Sequence, residues 1–424
     1  MTNINIHKLA WAGRSVWHTS TLHRQLSKMM SFMDMDASLE LTQTAKTNQA
    51  PDHVIACGDI TISCHEQTVP AFVEAEMDRL HGHLLCSLSN FEVARDLQGV
   101  STQGVSTYTA RRNGAAIALF LFRRENRKVT VVNEFIEMEQ GAATLFAQYI
   151  FTRFPSVHLI SFRKVHPAFL RLPYPHQAVT CTEDFVVNLP GSVEEYQSAL
   201  GKNMRRNIKR YTATLQQDFP SYRYQVHVQQ DIAEKDIRDI IQLNRVRMAG
   251  KNIVSRIDEE EADWIVALAK RCGIVGVATI DGRVCGGAIG FRIGDNYFMH
   301  VIAHDPVFND YSLGILCYYQ TICEGIARKG KRFHLLPGRY EYKYRLLGEL
   351  KEIARVDIYR SRLHALAFSG RIASTAWQGY MLKAKLWLLD AERRNDRASR
   401  YAAKFVRTLR ALKRSRSGAG SGAA

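Results

Sequence analysis

Two stretches of this chain repeat one order of secondary-structure elements, and this repeat constrains the fold more than any other feature. Residues 106–162 predict three strands with polar turns at 112–114 and 124–126, followed by a helix and a further apolar strand. Residues 284–336 show the order strand, polar turn, strand, helix and buried strand again, with little residue identity between the copies. An internal duplication of an α/β unit is the economical explanation.

The length and composition indicate a globular protein with more than one core. A chain of 424 residues is long enough for two domains, and 46% hydrophobic with 23% charged residues argues against wholesale disorder. The longest apolar run, 115–122, is far shorter than the roughly 20 residues that a membrane-spanning helix needs. Residues 1–20 lack the apolar run of a signal peptide. We therefore expect a cytoplasmic protein, or one peripheral to the inner face of the membrane.

The eight cysteines occur at irregular spacings, without a CxxC pair or a Cys/His framework of zinc-finger spacing. In a chain of this size, such cysteines are typical of small buried residues in a reducing compartment. The sequence predicts no metal site.

The formal net charge of +16 favours acidic partners, such as phosphate-bearing cofactors, nucleic acid, anionic glycans or an anionic membrane. The positive charge is concentrated in two blocks, 202–210 and 393–416. In the first block the cations recur at three- and four-residue steps, so they form one face of a helix that includes Arg205 and Arg206. That face is either solvated or in contact with an acidic acceptor or cofactor phosphates.

The second block belongs to a predicted tail of amphipathic helices. Residues 372–389 carry aromatic and aliphatic residues at helical spacing, and a second apolar stripe from Tyr401 to Leu412 is opposed by arginines and lysine. This tail either lies on an anionic membrane surface or packs on the rest of the protein.

These patterns predict a mixed α/β (α+β) architecture with five segments. They are a poorly ordered lead-in (1–50), a first half (51–188), a second half (189–362), a basic amphipathic helical tail (363–416) and a flexible end (417–424).

The second half carries a predicted anion site. A strand ends at His304-Asp305-Pro306, and a helix opens shortly afterwards at Tyr311, Ser312, Leu313, Gly314 and Ile315. The first amides of a helix lack intrahelical partners, and together with the helix dipole they suit a pyrophosphate. Gly314 would let the ligand approach the backbone closely. An ordinary capped helix is the alternative.

Residues 190–359 resemble a family of acyltransferases. The segments LGKNMRRNIKR and GGAIGFRIGDNYFMHVIAHDPVFNDYSLGILCYYQTICEGIARKGKRFHLLPGRYEYKYRLL are similar to the GNAT superfamily of the CelD/BioF-like (cellulose biosynthesis) type, which has tandem halves like the FemAB transferases. The matching motifs are the basic helix, His-Asp-Pro, Tyr-Ser-x-Gly, and Gly-x-x-x-Tyr-Lys at Gly338. Leu313 stands where a Pro often follows the Ser. The first half lacks the Ser-x-Gly helix start and is interpreted as a degenerate GNAT-like copy.

The resemblance implies tandem GNAT-like mixed sheets with flanking helices and a helix start that binds acetyl-CoA or another acyl-CoA. An amine or hydroxyl of a polysaccharide or cell-envelope precursor would attack the thioester, which requires a base and a donor to the departing thiolate. His304 is the first candidate base, and Asp305 could orient it or replace it. Tyr342 occupies the position of the family's acid.

The remaining candidates would bind the acceptor or a phosphate group. They are Lys343, Arg339, Arg205, Arg206 and His300. His300 and His304 are four residues apart on one strand, so they point to the same face unless a bulge intervenes.

Each of these roles has a structural alternative. His300 would be a core histidine, His-Asp-Pro would end the strand because Pro cannot continue a ladder, and Tyr340, Tyr342 and Tyr344 would alternate along a strand for packing.

Two other functions stay open. One is FemAB-like aminoacyl transfer from aminoacyl-tRNA, since a basic surface suits RNA phosphates. The other is a non-catalytic membrane- or anion-binding protein on a transferase fold.

Overall fold

The structure, a computed structural model, describes residues 50–98, 104–168 and 171–391. The predicted lead-in and flexible end, and the tail's second stripe from Tyr401 to Leu412, lie outside the described residues. None of the described helices is long and apolar enough to cross a bilayer.

The first part of the chain contains eight strands and three α-helices within the described ranges. In chain order they are β1 (His53–Cys57), β2 (Ile60–His65), α1 (Val73–Leu80), α2 (Leu88–Gln98), β3 (Val105–Arg112), β4 (Ala115–Glu125), β5 (Lys128–Val131), β6 (Ile136–Glu139), α3 (Gln140–Arg153), β7 (Leu159–Ala168) and β8 (His176–Asn188).

The second part begins with two helices, then repeats the order strand, two helices, three strands, helix and strand, and ends with further helices around one strand. Its elements are α4 (Val193–Ala199), α5 (Lys202–Asp218), β9 (Arg223–Val228), α6 (Glu234–Ala249), α7 (Glu259–Cys272), β10 (Gly273–Ile280), β11 (Arg283–Ile293), β12 (Asn296–His304), α8 (Leu313–Ala327), β13 (Arg332–His334), α9 (Glu341–Arg345), β14 (Glu349–Tyr359), α10 (Arg362–Ala367) and α11 (Ser369–Ala391).

Local sequence signals account for many of these boundaries. The hairpins β3–β4 and β10–β11 turn at Asn113-Gly114 and Asp281-Gly282, where both residues have positive φ, as tight hairpin turns require. Ser192 accepts a hydrogen bond from the Glu195 amide at the start of α4, and Asp258 caps α7 in the same way, as the sequence predicts.

The chain divides into two compact units. The first comprises Met1–Leu119, Val187–Leu336 and Arg345–Leu347, and the second comprises Phe120–Val186, Pro337–Tyr344 and Gly348–Ala424.

The first unit contains the antiparallel ribbon β1-β2-β3 and the strand order β13-β12-β11-β10-β9. In the latter, β13 is parallel to β12 and the other neighbours are antiparallel. An apolar core packs α6 and α7 on β10, β11 and β12, and includes Val93 of α2 and Leu84. This core buries one face of the sheet that carries the His-Asp-Pro motif.

The second unit has the strand order β4-β5-β7-β14-β8, and β6 also pairs with β7. Strand β14 follows the second copy in sequence, yet it lies antiparallel between β7 and β8, which both come from the first half of the chain. Helix α3 packs on β6 and β7. Strand β14, from the second half of the chain, therefore completes the sheet formed by strands of the first half.

Candidate functional site

Strand β12 has an open edge in the first unit. Strand β13 pairs with β12 at three positions, ending at Phe298 opposite His334, whereas β12 continues to His304. Beyond Phe298, no described strand pairs with this edge. Arg247 of α6 donates a hydrogen bond at 3.3 Å to the carbonyl of Ile302. The other backbone groups of this edge from Val301 to His304 are not used by a described ladder, so they can bind a ligand.

The segment after β12 forms a sharp connection to α8. A 3₁₀ helix spans Pro306–Tyr311, and Ser312 then adopts a left-handed conformation with φ of 51°, which is uncommon for a residue with a side chain. The helix therefore begins at Leu313, two residues later than the predicted opening at Tyr311. The Ile315 amide donates to the Ser312 carbonyl, whereas the amides of Leu313 and Gly314 have no acceptor within the described part of the chain.

The basic helix α5 lies beside this helix start. Tyr211 of α5 is hydrogen bonded to the hydroxyl of Ser312, and Arg210 also bonds to it and lies 5.1 Å from the centre of its ring. The bond from Ser312 and the neighbouring Arg210 lower the pKa of Tyr211, and Arg345 adds positive charge. The environment of the α8 start is therefore cationic.

The predicted cation face of α5 is present. Met204, Ile208 and Leu215 are buried, whereas the cations lie on the exposed side of the helix, namely Lys202, Arg205, Arg206, Lys209 and Arg210. Arg205 donates to the Ser198 carbonyl at 2.6 Å.

Two side chains of the predicted cofactor loop are used by the fold. The hydroxyl of Tyr311 donates to Asp218 at 2.8 Å, at the end of α5, and the side chain of Leu313 is fully buried. The groups of this loop that remain for a ligand are therefore backbone amides.

His304 is held by Asn309, a residue that the sequence patterns did not predict as part of the site. Its Nε2 lies 2.9 Å from Oδ1 of Asn309, so this nitrogen carries the proton of the neutral ring. Its Nδ1 is buried without a partner in the described part of the chain. Burial lowers the pKa of His304, and the nearby Arg247 and Lys251 lower it further. His304 is consequently a neutral imidazole at neutral pH, with an unprotonated Nδ1 that is buried.

Gly314 leaves room for the side chain of His304. A Cβ at this position would lie 3.0 Å from Nδ1 and 3.2 Å from Cε1 of His304. The glycine therefore makes room for the imidazole, and close approach of a ligand at this position stays a prediction.

Among the described residues, the carboxylate of Asp305 makes no hydrogen bond to His304. Its carboxylate accepts from the amide of Val307 at 3.0 Å and caps the 3₁₀ helix, with Pro306 at its first position. The orientation of His304 is thus set by Asn309.

His300 and His304 do not share a face, because the bulge that would separate them is present. Met299 is opposite Gly290 and Val301 is opposite Ile289, which leaves His300 as the extra residue. His300 lies 3.2 Å from the carboxylate of Glu261 and 5.1 Å from the ring of Trp264, both in α7. It is packed in the core side of the sheet, away from His304.

The closing motif lies mainly in the second unit and forms a helix, so the predicted strand-like alternation of its tyrosines is wrong. The short helix α9 spans Glu341–Arg345, and Tyr340 and Tyr342 are stacked with ring centroids 5.8 Å apart. Gly338 has a φ of 109°, which favours glycine.

Lys343 is a buried amine in this unit. Its side chain is 1% exposed, its Nζ donates to the Pro337 carbonyl at 3.1 Å, and the rings of Phe185 and Tyr340 lie 5.2 and 5.6 Å away. Burial lowers the pKa of Lys343 to about 7, an effect that Asp184 opposes. An amine with this pKa can bind or release a proton at neutral pH.

Arg339 is paired with Glu183. Its Nε lies 3.0 Å from both carboxylate oxygens, and its Nη2 also bonds to the carboxylate. Glu183 is buried, so the guanidinium is the counter-charge of this carboxylate.

The first copy differs from the second at the position of the open edge. Strand β5 pairs with β7 at Leu159–Phe162, and β6 pairs with the continuation of β7 at Val165–Ala168. Between β5 and β6 the chain bends at Phe135, whose φ is 61°. Helix α3 then starts directly after β6. In the first copy, the pairing of β6 with β7 therefore closes the edge that corresponds to the open edge of β12.

Several residues of the site were not predicted from the sequence. Tyr211 and Arg247 reach the helix start and the open edge only through the tertiary fold, whereas Asn309 contacts His304 within the connection between β12 and α8. A signal existed only for Arg210, which belongs to the predicted cation face.

Comparison with known proteins supports a transferase fold. Residues 202–344, about one third of the chain, match the family described as "Acetyltransferase (GNAT) domain". No curated protein matches the chain.

Three solved structures illustrate the range of structural similarity. FemX is 10% identical, with 69% of this chain and 96% of that chain covered and a TM-score of 0.48. L-PGS from Bacillus licheniformis is 10% identical, with 72% and 98% covered and a TM-score of 0.43. A tandem GNAT protein from the clavulanic acid biosynthesis pathway is 9% identical, with 60% and 82% covered and a TM-score of 0.30.

The mixed α/β, GNAT-like fold predicted from the sequence is confirmed, as is its helical C-terminal region up to Ala391. The CelD/BioF-like subtype stays a prediction. A GNAT-type transferase fold is what the matched residues and the strand arrangement establish.

Proposed function

We propose that this protein is an acyltransferase that binds acyl-CoA at the open edge of β12 and the start of α8. The observation that carries the proposal is the early end of β13, which leaves β12 from Val301 to His304 without a partner strand on this side in the described part of the chain. The amides of Leu313 and Gly314, which have no acceptor among the described residues, belong to the helix that follows this strand. A thioester and its pantetheine arm can hydrogen bond to such an edge as a short added strand would. The pyrophosphate would accept from the two amides.

The charges around the helix start support the same ligand. Arg210 and Arg345 lie close to Tyr211, and Arg206 is exposed on the same helix. Cations beside free amides at a helix N-terminus favour a doubly charged phosphate group.

The acceptor is proposed to be an amine or a hydroxyl of a polysaccharide or cell-envelope precursor. Its attack on the thioester carbonyl forms the new bond, and collapse of the tetrahedral intermediate breaks the carbon–sulfur bond and releases coenzyme A. His304 is the proposed base, because its Nδ1 is an unprotonated acceptor at neutral pH. Tyr342 as the acid and Lys343 and Arg339 as acceptor contacts stay predictions from the family resemblance.

Calorimetric titration with coenzyme A and acetyl-CoA tests the cofactor assignment. Reversing the charge of Arg206 and Arg210 (Arg206→Glu with Arg210→Glu) should weaken coenzyme A binding by about tenfold or more, because each phosphate contact is charge-assisted. The matched control is Lys235→Glu with Arg283→Glu, which reverses two exposed charges elsewhere in the same unit. Equal weakening by both pairs would reduce the effect to net charge and contradict the site.

The exposed cations of α5 also favour a second candidate, which is aminoacyl transfer from tRNA. Binding of tRNA that disappears in the Arg206→Glu/Arg210→Glu variant, without any binding of coenzyme A, would support that function and exclude acyl-CoA as the donor.

A further inference from the structure

One face of helix α11 packs on strands β8 and β14 of the second unit. Arg371 donates to the buried carboxylate of Asp357 at 2.8 Å, and that carboxylate also accepts from Ser161 at 2.6 Å. Gln177 of β8 donates to the carbonyl of Ile372 at 3.0 Å. These contacts fix the rotation of the helix about its own axis.

Further along α11, the same face of the helix lies very close to the backbone and side chains of β8. A Cβ at Gly379 would lie 2.1 Å from Val179 Cγ1, so the helix touches β8 at this point. Thr375 is also buried. Thr375, Gly379 and Leu382 follow helical spacing, and they define the docked side.

The opposite side of α11 presents three large aromatic residues to solvent. Trp377 is 63% exposed, Tyr380 66% and Trp387 56%, and the rings of Trp377 and Tyr380 stack with centroids 6.1 Å apart. At about 100° per residue, these three residues fall on one stripe, turned away from Gly379. We call them the aromatic stripe. Exposing three such residues together costs solubility unless the stripe is covered in use.

Positive charge accompanies the aromatic stripe. Lys383 and Lys385 project on either side of it by helical geometry, and Lys383 is exposed. The sequence that follows α11 carries ten Lys and Arg residues and one Asp between positions 393 and 416. Any partner of this surface must therefore offer negative charge next to an apolar layer.

We infer that the aromatic stripe of α11 binds the surface of an anionic lipid bilayer, with the helix lying in the plane of the membrane. Trp and Tyr favour the level of the lipid headgroups, where the ring is in an apolar layer and its polar group reaches water. Lysines flanking an apolar stripe extend to anionic headgroups. The described helices are too short or too polar to span the bilayer, so the helix lies on the surface. This inference does not depend on the proposed acyl-CoA site.

Vesicle co-sedimentation of the full chain tests the inference. The natural protein should bind vesicles of mixed phosphatidylcholine and phosphatidylglycerol, and it should bind pure phosphatidylcholine vesicles at least about tenfold more weakly. The triple variant Trp377→Ala/Tyr380→Ala/Trp387→Ala should bind the mixed vesicles about tenfold more weakly than the natural protein. The basic segment is unchanged in this variant, so a loss of vesicle binding would be caused by the missing aromatic stripe.

The matched control is Ile253→Ala with Val254→Ala, which removes two exposed apolar residues from the first unit and should leave vesicle binding unchanged. Circular dichroism should show both variants folded, because all five residues are exposed. Unchanged binding by the triple variant would overturn the inference. So would a natural protein that ignores anionic vesicles and forms a dimer that the triple variant loses, since the stripe would then be covered by a second copy.

Discussion

Individual residues at the helix start are explained by steric and hydrogen-bonding needs that the tertiary fold creates. Gly314 leaves space for His304, Asn309 fixes the tautomer of that ring, and Ser312 takes a left-handed conformation while it bonds to Tyr211. A cluster of positions with such special requirements is typical of a functional site.

Replacing Gly314 with Ala tests whether His304 sets this requirement. The new Cβ would press on the imidazole and should lower the free energy of unfolding by about 1 kcal/mol relative to Gly141→Ala. Gly141 is also the second residue of its helix, α3, and no atom lies within 4 Å of a Cβ there. In a His304→Ala background the difference should disappear. Urea unfolding measures both, and an undiminished difference would show that His304 is not the cause.

The buried amine of Lys343 should reduce the stability of the protein. Its folded pKa of about 7 lies below the unfolded value, so the unfolded state binds more protons between the two, and stability rises with pH over that range. Lys343→Met should therefore raise the free energy of unfolding at pH 7 by about 2 kcal/mol. The gain should shrink as the pH rises to about 10. Urea unfolding at several pH values measures this, with exposed Lys209→Met as the control. A constant gain across pH would contradict the buried neutral amine.

Among the elements, the two copies differ in whether one strand edge is closed. In the second unit β6 pairs with the extended β7, whereas in the first unit the short β13 leaves β12 open. The sequence hint for this difference is the missing Ser-x-Gly in the first copy, at Glu139-Gln140-Gly141.

Binding of coenzyme A should therefore have a stoichiometry of one molecule per chain. The paired edge of β7 offers no unsatisfied backbone groups comparable to those of β12. Calorimetry or equilibrium dialysis at saturating coenzyme A measures the number of sites. Two equivalent sites per chain would contradict the interpretation of the first copy as degenerate.

At the scale of the whole molecule, strand β14 joins the C-terminal part of the chain to strands from its first half. It lies between β7 and β8, and its Asp357 accepts from Ser161 in β7 and from Arg371 in α11. The second unit cannot form its sheet from the first half of the sequence alone.

A fragment of residues 51–188 should consequently be insoluble or molten when it is produced alone, because β7 and β8 would each lose a partner strand. Co-expression with residues 348–391 should restore a soluble complex of the two pieces. Affinity co-purification and circular dichroism measure the outcome. A fragment 51–188 that folds cooperatively on its own would show that β14 is dispensable.

Periodicity and turn residues in the sequence were enough to predict the strands within 106–162 and 284–336, several helices, the capping residues Ser192 and Asp258, and the repeated order of elements. The strands β8 and β9 were not predicted. These features depend on neighbouring residues, which is why a linear pattern contains them. The five-segment division and the catalytic roles of His304, Asp305 and Tyr342 stay predictions.

The repeated order of strands and helix in the sequence determined the fold class of this protein, because alternation and helical spacing are local properties. Contacts between distant segments decided the rest. The bulge at His300 places this side chain on the opposite face of the sheet from His304. The early end of β13 leaves the edge of β12 without a partner strand, whereas β6 pairs with the corresponding edge of β7 in the first copy. Strand β14, from the second half of the chain, pairs with strands of the first half. Each depends on which backbone groups find a partner across the sheet, and residue patterns along one strand do not specify that partner.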